Sequence, residues 1–164
     1  MKLKNLLLLT LFFLIGAAIT VGQSKDNVNV APNAPQDQPK QAETLDQVAK
    51  LDLAIKPYVE KARQTYPEAK RKFLAGLPPK ETLFVTTRLH DSEGRIEQVF
   101  IAVKEIKDDT IKGVIWSQIN TVTGYQLGDS YSMKEKDLLD WTISKPDGTE
   151  EGNFVGKFLD SYQP

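Results

Sequence analysis

The sequence predicts an α+β protein in which N-terminal helices pack on a curled antiparallel β-meander. The stretch from Thr44 to Gly76 has helical spacing and prolines placed where a helix tolerates them. From Thr82 onward, segments with strand alternation are separated by short turns rich in Asp and Gly. Helices first and then hairpin-connected strands are typical of an α+β domain. The sheet either curls into a small open barrel or wraps the helices.

Length and composition predict one globular domain and exclude several kinds of function. The chain has 164 residues, of which 40% are hydrophobic and 26% charged, as in an ordinary folded protein. Its 21 Lys and Arg nearly balance 22 Asp and Glu, so no overall field attracts nucleic acid. Cysteine is absent, which excludes disulfides, thiolate metal sites, a cysteine nucleophile and a lipid-modified cysteine.

The first 22 residues have the pattern of a targeting segment. Lys2 and Lys4 supply a positive start, and Leu6–Val21 is an apolar run that ends at the small residue Gly22. This pattern predicts a signal peptide over residues 1–22, cleaved after Gly22 or nearby. The alternative is an uncleaved membrane anchor, since the run approaches the roughly 17 residues that span a bilayer.

Residues 23–43 differ in composition from the rest of the chain. Pro32, Pro35 and Pro39 lie among Asn, Gln and Asp, with little that can be buried. Such a composition predicts a flexible linker. The folded domain then covers residues 44–164.

Two helices are predicted in this domain, because each proline suits a first helical turn. One helix runs over Pro57–Thr65 and the other over Pro67–Ala75, which Gly76 ends. The basic run Lys70–Lys72 could hold phosphate or lipid, but such a run is more typical of a solvated helix face.

The middle of the chain predicts three strands. Thr82–His90 alternates strictly, and Asp91–Gly94 forms the turn into a second strand over Arg95–Lys107. The unbroken apolar centre of this strand, Val99–Val103, indicates a central strand covered on both faces. A third strand comes next, in which Gly113 bulges the chain or relieves crowding.

The C-terminal stretch predicts a hairpin that closes the fold. Leu139–Ser144 alternates so that Trp141 points inward, and Pro146–Gly148 has the residues of a tight turn. Thr149–Phe154 then returns beside Leu139–Ser144, and Phe158 with Leu159 packs a last short segment underneath.

Four segments in order resemble a known family. They are Tyr66–Pro79, Gly128–Asp129, Asp140–Trp141 and Glu150–Asp160, which reads EEGNFVGKFLD. With these segments the chain resembles the YegJ-like family of bacterial proteins, also called domain of unknown function 2314, over about residues 55 to 162. The resemblance implies a compact bacterial domain, often exported, without an assigned activity and without catalytic residues to carry over.

Motifs for metal, nucleotide or catalytic chemistry are incomplete. His90 is the only histidine, which excludes HExxH and any site with two histidines. Residues 152–157 lack both the spacing and the hydroxyl of a phosphate loop, and the stretch after Asp147 lacks the glutamate that ends a calcium loop. The acidic pairs at residues 108–109 and 150–151 lie in or beside turns, where water keeps carboxylates ordinary. The sequence predicts no catalytic residue, no metal site and no cofactor.

Aromatic side chains are the remaining candidates for binding. Trp141 shares a strand face with Leu139 and Ile143, which predicts a core position. Trp116, Tyr125 and Tyr131 are the candidate ligand-binding residues, since amphipathic rings suit recognition surfaces. A partner would meet the sheet face that carries Phe84 and Trp116, or the edge near Tyr125 to Tyr131.

The sequence predicts a non-enzymatic binding module in the cell envelope, periplasmic or secreted. Its partner is an envelope protein or a small ligand, nucleic acid is excluded, and residues 1–22 are its only membrane contact if they stay uncleaved. One alternative is a small hydrolase or ligand-modifying enzyme around His90 with Asp91 and Arg88, although no GxSxG motif accompanies them. Another is an inhibitor or immunity-like partner of a second exported protein.

Overall fold

The computed structural model describes Pro35 and residues 45–162. Its elements are one long helix, six strands, a 3₁₀ turn at Glu135–Asp137 and a short final helix: α1 Leu45–Ala75, β1 Thr82–His90, β2 Ile96–Lys107, β3 Thr110–Ile115, β4 Ser130–Lys134, β5 Asp140–Ser144, β6 Glu150–Gly152 and α2 Phe154–Ser161. The expected signal peptide lies outside the described residues, as does the expected linker apart from Pro35. In the described part of the chain, no helix has the length and apolarity that crossing a membrane requires.

The six strands form one open antiparallel sheet in the order β4-β3-β2-β1-β5-β6. The α+β prediction is confirmed, and of its two variants the sheet is not closed into a barrel. Strands β1 to β4 are neighbours in sequence order, as expected of a meander. Strand β5 instead pairs with β1, with Val85 opposite Trp141. After β4, at one edge of the sheet, the chain therefore passes through the 3₁₀ turn and joins the sheet again on the far side of β1, which leaves β1 central.

Helix α1 is continuous, so the prediction of two helices separated before Pro67 is wrong. Both Pro57 and Pro67 lie inside it on exposed positions. The apolar positions that face the protein recur every three or four residues through both prolines, at Leu51, Ile55, Val59, Ala62, Tyr66, Ala69 and Phe73. Burial of this unbroken stripe outweighs the missing backbone hydrogen bonds, because most helix stability in proteins comes from packing.

The main core lies between the C-terminal half of α1 and one face of the sheet. Ala62, Tyr66 and Ala69 pack there against Leu83, Val85, Ile101 and Ile143, among others. A second cluster joins the N-terminal half of α1 to α2 through Ile55, Val59 and Val155. Phe84 and Ala102, on the opposite sheet face, are also fully buried. Strands β1 and β2 are thus covered on both faces, as the apolar run Val99–Val103 predicted.

Gly113 is placed where the β2–β3 pair is crowded. A Cβ atom on this glycine would lie 2.2 Å from the carbonyl oxygen of Ala102 and 2.7 Å from Cγ2 of Ile101. The register of β2 and β3 shifts immediately beyond, between Val103 and Glu105. The expectation that Gly113 relieves crowding describes this position. The expectation that it bulges the chain is wrong, because the extra residue is Lys104 of β2.

The C-terminal hairpin forms as predicted, but its return strand is shorter. The carboxylate of Asp147 accepts a hydrogen bond from the N–H of Thr149 at 2.9 Å, as its place in the turn implies. Strand β6 ends at Gly152 rather than at Phe154, because Gly152 and Asn153 both adopt positive φ, at 77° and 57°. The residues from Phe154 form α2 instead, which supplies the last packed segment.

Candidate functional site

A polar cleft lies between β1, β4 and the segment that joins β4 to β5, and we call it the β1–β4 cleft. Its volume is about 570 Å³, within the range of small-molecule sites. It is lined by residues of β1, β3, β4, the connecting segment and α1, namely Thr87, Arg88, His90, Thr110, Tyr131, Ser132, Met133, Lys134, Lys136, Asp137, Leu139 and Arg63.

The charges in the β1–β4 cleft are unequal, with four Lys and Arg against one acidic residue, Asp137. Two of the bases are paired outside the lining: Arg88 with Asp52 of α1, and Lys134 with Asp109 at 2.8 Å. Arg63 instead donates from Nε to the Leu138 carbonyl at 2.8 Å and from Nη2 to the Lys136 carbonyl at 3.1 Å. Within residues 45–162, neither Arg63 nor Lys136 is in ion-pair contact with a carboxylate.

Two of the three aromatic candidates lie together, and one of them, Tyr131, lines the β1–β4 cleft. The rings of Tyr125 and Tyr131 meet edge to face with centroids 6.2 Å apart, and both pack against the main core. The Tyr125 hydroxyl donates to the His90 carbonyl at 3.2 Å. Burial, then the neighbouring Tyr125 and Asp137, raise the pKa of Tyr131, so its hydroxyl stays protonated at neutral pH.

The β3–β4 connection that carries Tyr125 is held by carboxylates of the neighbouring strand end. Glu97 accepts hydrogen bonds from the backbone N–H groups of Asn120 and Thr121 at 2.8 and 2.7 Å. Asp91 accepts another from the N–H of Thr123 at 3.1 Å. These contacts fix a stretch without regular structure, and so they position the tyrosine beside His90.

Trp116, the third aromatic candidate, lies elsewhere. Its ring is 6.2 Å from that of Phe84, on the sheet face opposite to the main core. Trp116 is half-buried, and Phe84 has no exposed surface. A partner on this face would therefore touch Trp116 without touching Phe84.

His90 and Arg88 line the β1–β4 cleft, but Asp91 does not. The Asp91 carboxylate accepts hydrogen bonds from Nε of Arg95 at 2.7 Å and from three backbone N–H groups. Burial works to raise its pKa, but the hydrogen bonds from Thr123 and Arg95 outweigh burial and hold the pKa well below its usual range. Asp91 is thus a fixed turn residue. In the described part of the chain, no group of three or more His, Asp or Glu is placed to hold a metal ion.

The basic run on α1 is tied to the protein surface by ion pairs. Lys70 contacts Glu135 at 2.6 Å, and Lys72 contacts Glu151 at 2.5 Å. Arg71 pairs with Glu68 one turn earlier at 2.6 Å. Two of these ion pairs attach α1 to the rest of the protein, and the run does not enter the β1–β4 cleft.

Sequence reasoning did not identify the β1–β4 cleft, although it named Tyr131, His90 and Arg88. Arg63 and Lys136, its two bases without a carboxylate, are separated by 73 residues. No local spacing could connect them, because the crossing of the β4–β5 segment brings them together. The sequence carries no signal for this pair, since Arg63 follows Glu60 at helical spacing and Lys136 lies between Glu135 and Asp137.

Several residues that carry the family resemblance, Asp140, Trp141 and Gly152 among them, meet at a different place, which we call the C-terminal corner. Asp140 is 1% exposed, and its carboxylate accepts from the N–H of Trp141 at 2.8 Å and of Val155 at 2.6 Å. The Trp141 indole donates from Nε1 to the Ala62 carbonyl at 3.1 Å and meets the Phe154 ring edge to face. Gly152 lies directly against Trp141. The corner joins β5, β6, α2 and α1, so its residues stabilise the fold.

Comparison with known proteins gives a family and nothing more specific. The chain matches no curated protein and no protein of solved structure. Residues 52–161 match the family described as uncharacterized protein conserved in bacteria, DUF2314. The match covers α1 from its second turn through α2, and it includes both the C-terminal corner and the β1–β4 cleft. The chain therefore belongs to the DUF2314 family of bacterial proteins.

Proposed function

We propose that this protein is an exported, non-enzymatic binding module of the bacterial cell envelope, which holds its ligand or a group of its partner in the β1–β4 cleft. The export part is supported by the pattern of residues 1–22, a positive start followed by an apolar run, and by the polar stretch after it. The family is bacterial, which agrees with an envelope location.

The observation that carries the proposal is the β1–β4 cleft itself. It combines a half-buried tyrosine, apolar side chains and several donors in one concavity, which is the usual composition of a binding site. Its lining comes from β1, β4, the connecting segment and α1, so the site is assembled by tertiary structure. Because the strands are paired over their length, the walls are held in place before a ligand arrives.

Binding is favoured over catalysis by the environment of the candidate base. A general base needs an orienting partner and a proton within reach. Within the described residues, the His90 ring makes no hydrogen bond, and the Asp91 carboxylate is used by Arg95 and the turn. The hydrolase alternative is supported only by His90 and Arg88, which both line the cleft. The inhibitor alternative stays a prediction.

Site-directed photo-crosslinking tests the proposal. A benzophenone amino acid replaces Ser132, which is exposed in the β1–β4 cleft, in the full-length protein expressed in a bacterial host. The matched control places the same group at Gln118, which is exposed outside the cleft. We expect an adduct of defined mass from the envelope fraction at Ser132 only. Equal labelling at both positions, or none at either, would contradict ligand binding in this cleft.

The enzyme alternative is tested separately through His90. If the cleft hydrolyses esters or phosphoesters, purified protein turns over p-nitrophenyl acetate or p-nitrophenyl phosphate, and His90→Gln abolishes the turnover. We expect no turnover above the His90→Gln background with either substrate. Saturable turnover lost in that variant would replace binding by catalysis.

A further inference from the structure

We propose that the β1–β4 cleft binds a small organic anion whose carboxylate or phosphate group is held by Arg63 and Lys136. This inference rests on the proposed function, because it names the class of ligand for the same cleft. Three features of the described residues support it: a guanidinium fixed in place, an excess of hydrogen-bond donors, and an apolar wall beside them.

The guanidinium of Arg63 is held before any ligand binds. Two of its N–H groups donate to the carbonyls of Leu138 and Lys136, at 2.8 and 3.1 Å. These bonds fix the plane of the group and leave its other N–H groups without an acceptor among residues 45–162. A fixed planar fork of this kind matches the oxygens of a carboxylate or phosphate and loses little entropy on binding.

Donors near Arg63 outnumber acceptors. The Nη2 contact places the guanidinium against the backbone of Lys136, whose ammonium is exposed and has no carboxylate partner in the described part of the chain. The protonated Tyr131 hydroxyl and the Ser132 hydroxyl likewise make no hydrogen bond within residues 45–162. Asp137 is the one acidic side chain of the lining. Such a set of groups is satisfied by a ligand that supplies acceptors and negative charge.

Part of the cleft wall is apolar. Tyr131, Met133 and Leu139 line it next to the basic groups. A volume of about 570 Å³ is far larger than an inorganic ion needs. The ligand class is therefore an organic anion, with its charged group on Arg63 and Lys136 and its apolar part against Tyr131.

Calorimetric titration of the full-length protein with phenyl phosphate, benzoate and the neutral analogue benzyl alcohol tests this assignment. We expect saturable binding of at least one anion in the millimolar range or tighter, weakening as salt is raised, and no binding of the alcohol. Lys136→Gln is expected to weaken anion binding by about tenfold, the effect of losing one charged hydrogen bond. Lys61→Gln removes the same charge from an exposed position of α1 outside the cleft and is expected to leave the affinity unchanged.

Arg63→Met is the second variant, and its helix content by circular dichroism shows whether it is folded. If it is folded, we expect it to bind the anions at least tenfold more weakly than the parent protein. Flotation with phosphatidylglycerol vesicles, lost in Lys136→Gln, would assign the anion to a lipid headgroup, whereas titration without flotation assigns it to a free ligand.

Three results would overturn the inference. They are the absence of binding by both anions, equal binding of benzyl alcohol, and equal weakening by Lys136→Gln and Lys61→Gln. Each differs from failure of the proposed function, which is read from the Ser132 adduct. An adduct together with any of these results leaves a binding cleft whose ligand is not an anion held by Arg63 and Lys136.

Discussion

The position of Trp141 depends on Gly152, which lies against it although its partner in the β5–β6 register is Thr142. Gly152 has φ of 77°, and a Cβ there would lie 2.2 Å from the Trp141 carbonyl oxygen and 2.7 Å from its Cε3 atom. The indole in turn is 5% exposed and donates to the Ala62 carbonyl and to Oγ1 of Thr65, both at 3.1 Å. Glycine is thus required both by backbone angle and by space. The family residues at this point fit one another rather than a ligand.

The first prediction compares two glycines of the same hairpin. Gly152→Ala is expected to lower the free energy of unfolding by roughly 3 kcal/mol, because it adds a left-handed backbone penalty to overlap with the indole. Gly148→Ala meets nothing within 4 Å at φ of 88°, so its loss is only about 1 kcal/mol. Urea denaturation monitored by tryptophan fluorescence measures both. Equal losses would mean that Trp141 moves freely away from position 152.

Thr142 leads to a prediction of opposite sign. Its Oγ1 is the one buried side-chain polar atom of the described residues that has no hydrogen-bond partner. Thr142→Val keeps the shape and removes the unsatisfied hydroxyl, so we expect a gain of about 1 kcal/mol in the free energy of unfolding. The control, Thr87→Val, removes a hydroxyl that donates to the Asp137 carbonyl at 3.1 Å and should lower stability. Destabilisation by both changes would show that Thr142 has a partner.

Helix α2 shows how a short C-terminal helix is held. Its first turn directs backbone N–H groups at the Asp140 carboxylate, and Val155 and Phe158 pack against the N-terminal half of α1. Phe158 stacks on Tyr58 with ring centroids 4.4 Å apart. A carboxylate at a helix N-terminus is stabilised by the helix dipole, yet burial penalises its charge.

For Asp140 burial outweighs these hydrogen bonds and raises its pKa to about 6. The folded protein therefore binds a proton more tightly than the unfolded chain, whose aspartates titrate near 3.9. This group contributes stability at low pH, and the contribution is lost as pH rises from about 4 through 6. We expect the difference in free energy of unfolding between the parent protein and Asp140→Asn to fall by roughly 2 to 3 kcal/mol across that window.

Urea denaturation at several pH values measures this difference. The control variant is Asp160→Asn, which removes an exposed acid from the same helix and should leave the pH dependence of the parent protein intact. A difference between parent and Asp140→Asn that stays constant from pH 4 to 7 would contradict a raised pKa.

The two ends of the described chain are tied together beside the sheet. Asp52 near the start of α1 pairs with Arg88 of β1, and α2 packs on the same part of α1. The N-terminal half of α1 therefore contacts both α2 and the Arg88 end of the β1–β4 cleft. A leader or anchor retained before α1 would join the protein at this half of the helix.

The pattern of residues 1–22 leads us to expect export of the protein. We expect the protein expressed in a Gram-negative host to be recovered from the periplasm with Gln23 or a close neighbour as its first residue, because residues 1–22 have the pattern of a cleaved signal. Cell fractionation followed by N-terminal sequencing measures this. A Lys4→Glu variant, which weakens the positive start, should accumulate uncleaved. Recovery of intact Met1 from the membrane fraction would support the anchor instead.

Much of the fold could be predicted because it depends on local patterns. The bounds of β1, the inward position of Trp141, the turn at Pro146–Gly148 and the α+β class all derive from alternation and turn residues, which act over a few positions. The continuity of α1 was missed, because single prolines were weighed without the apolar stripe that runs past them.

By itself the sequence determined the class of fold, the family and every strand except β4, since side-chain periodicity and turn chemistry are properties of neighbouring residues. Strand β4 was missed, because its five residues carry only one buried side chain, Met133. Only the tertiary structure decided that β5 returns to β1, and this crossing places Lys136 beside Arg63 of α1. The cleft exists because groups separated by 73 residues meet there. Such meetings depend on packing of the whole core, which no local pattern records.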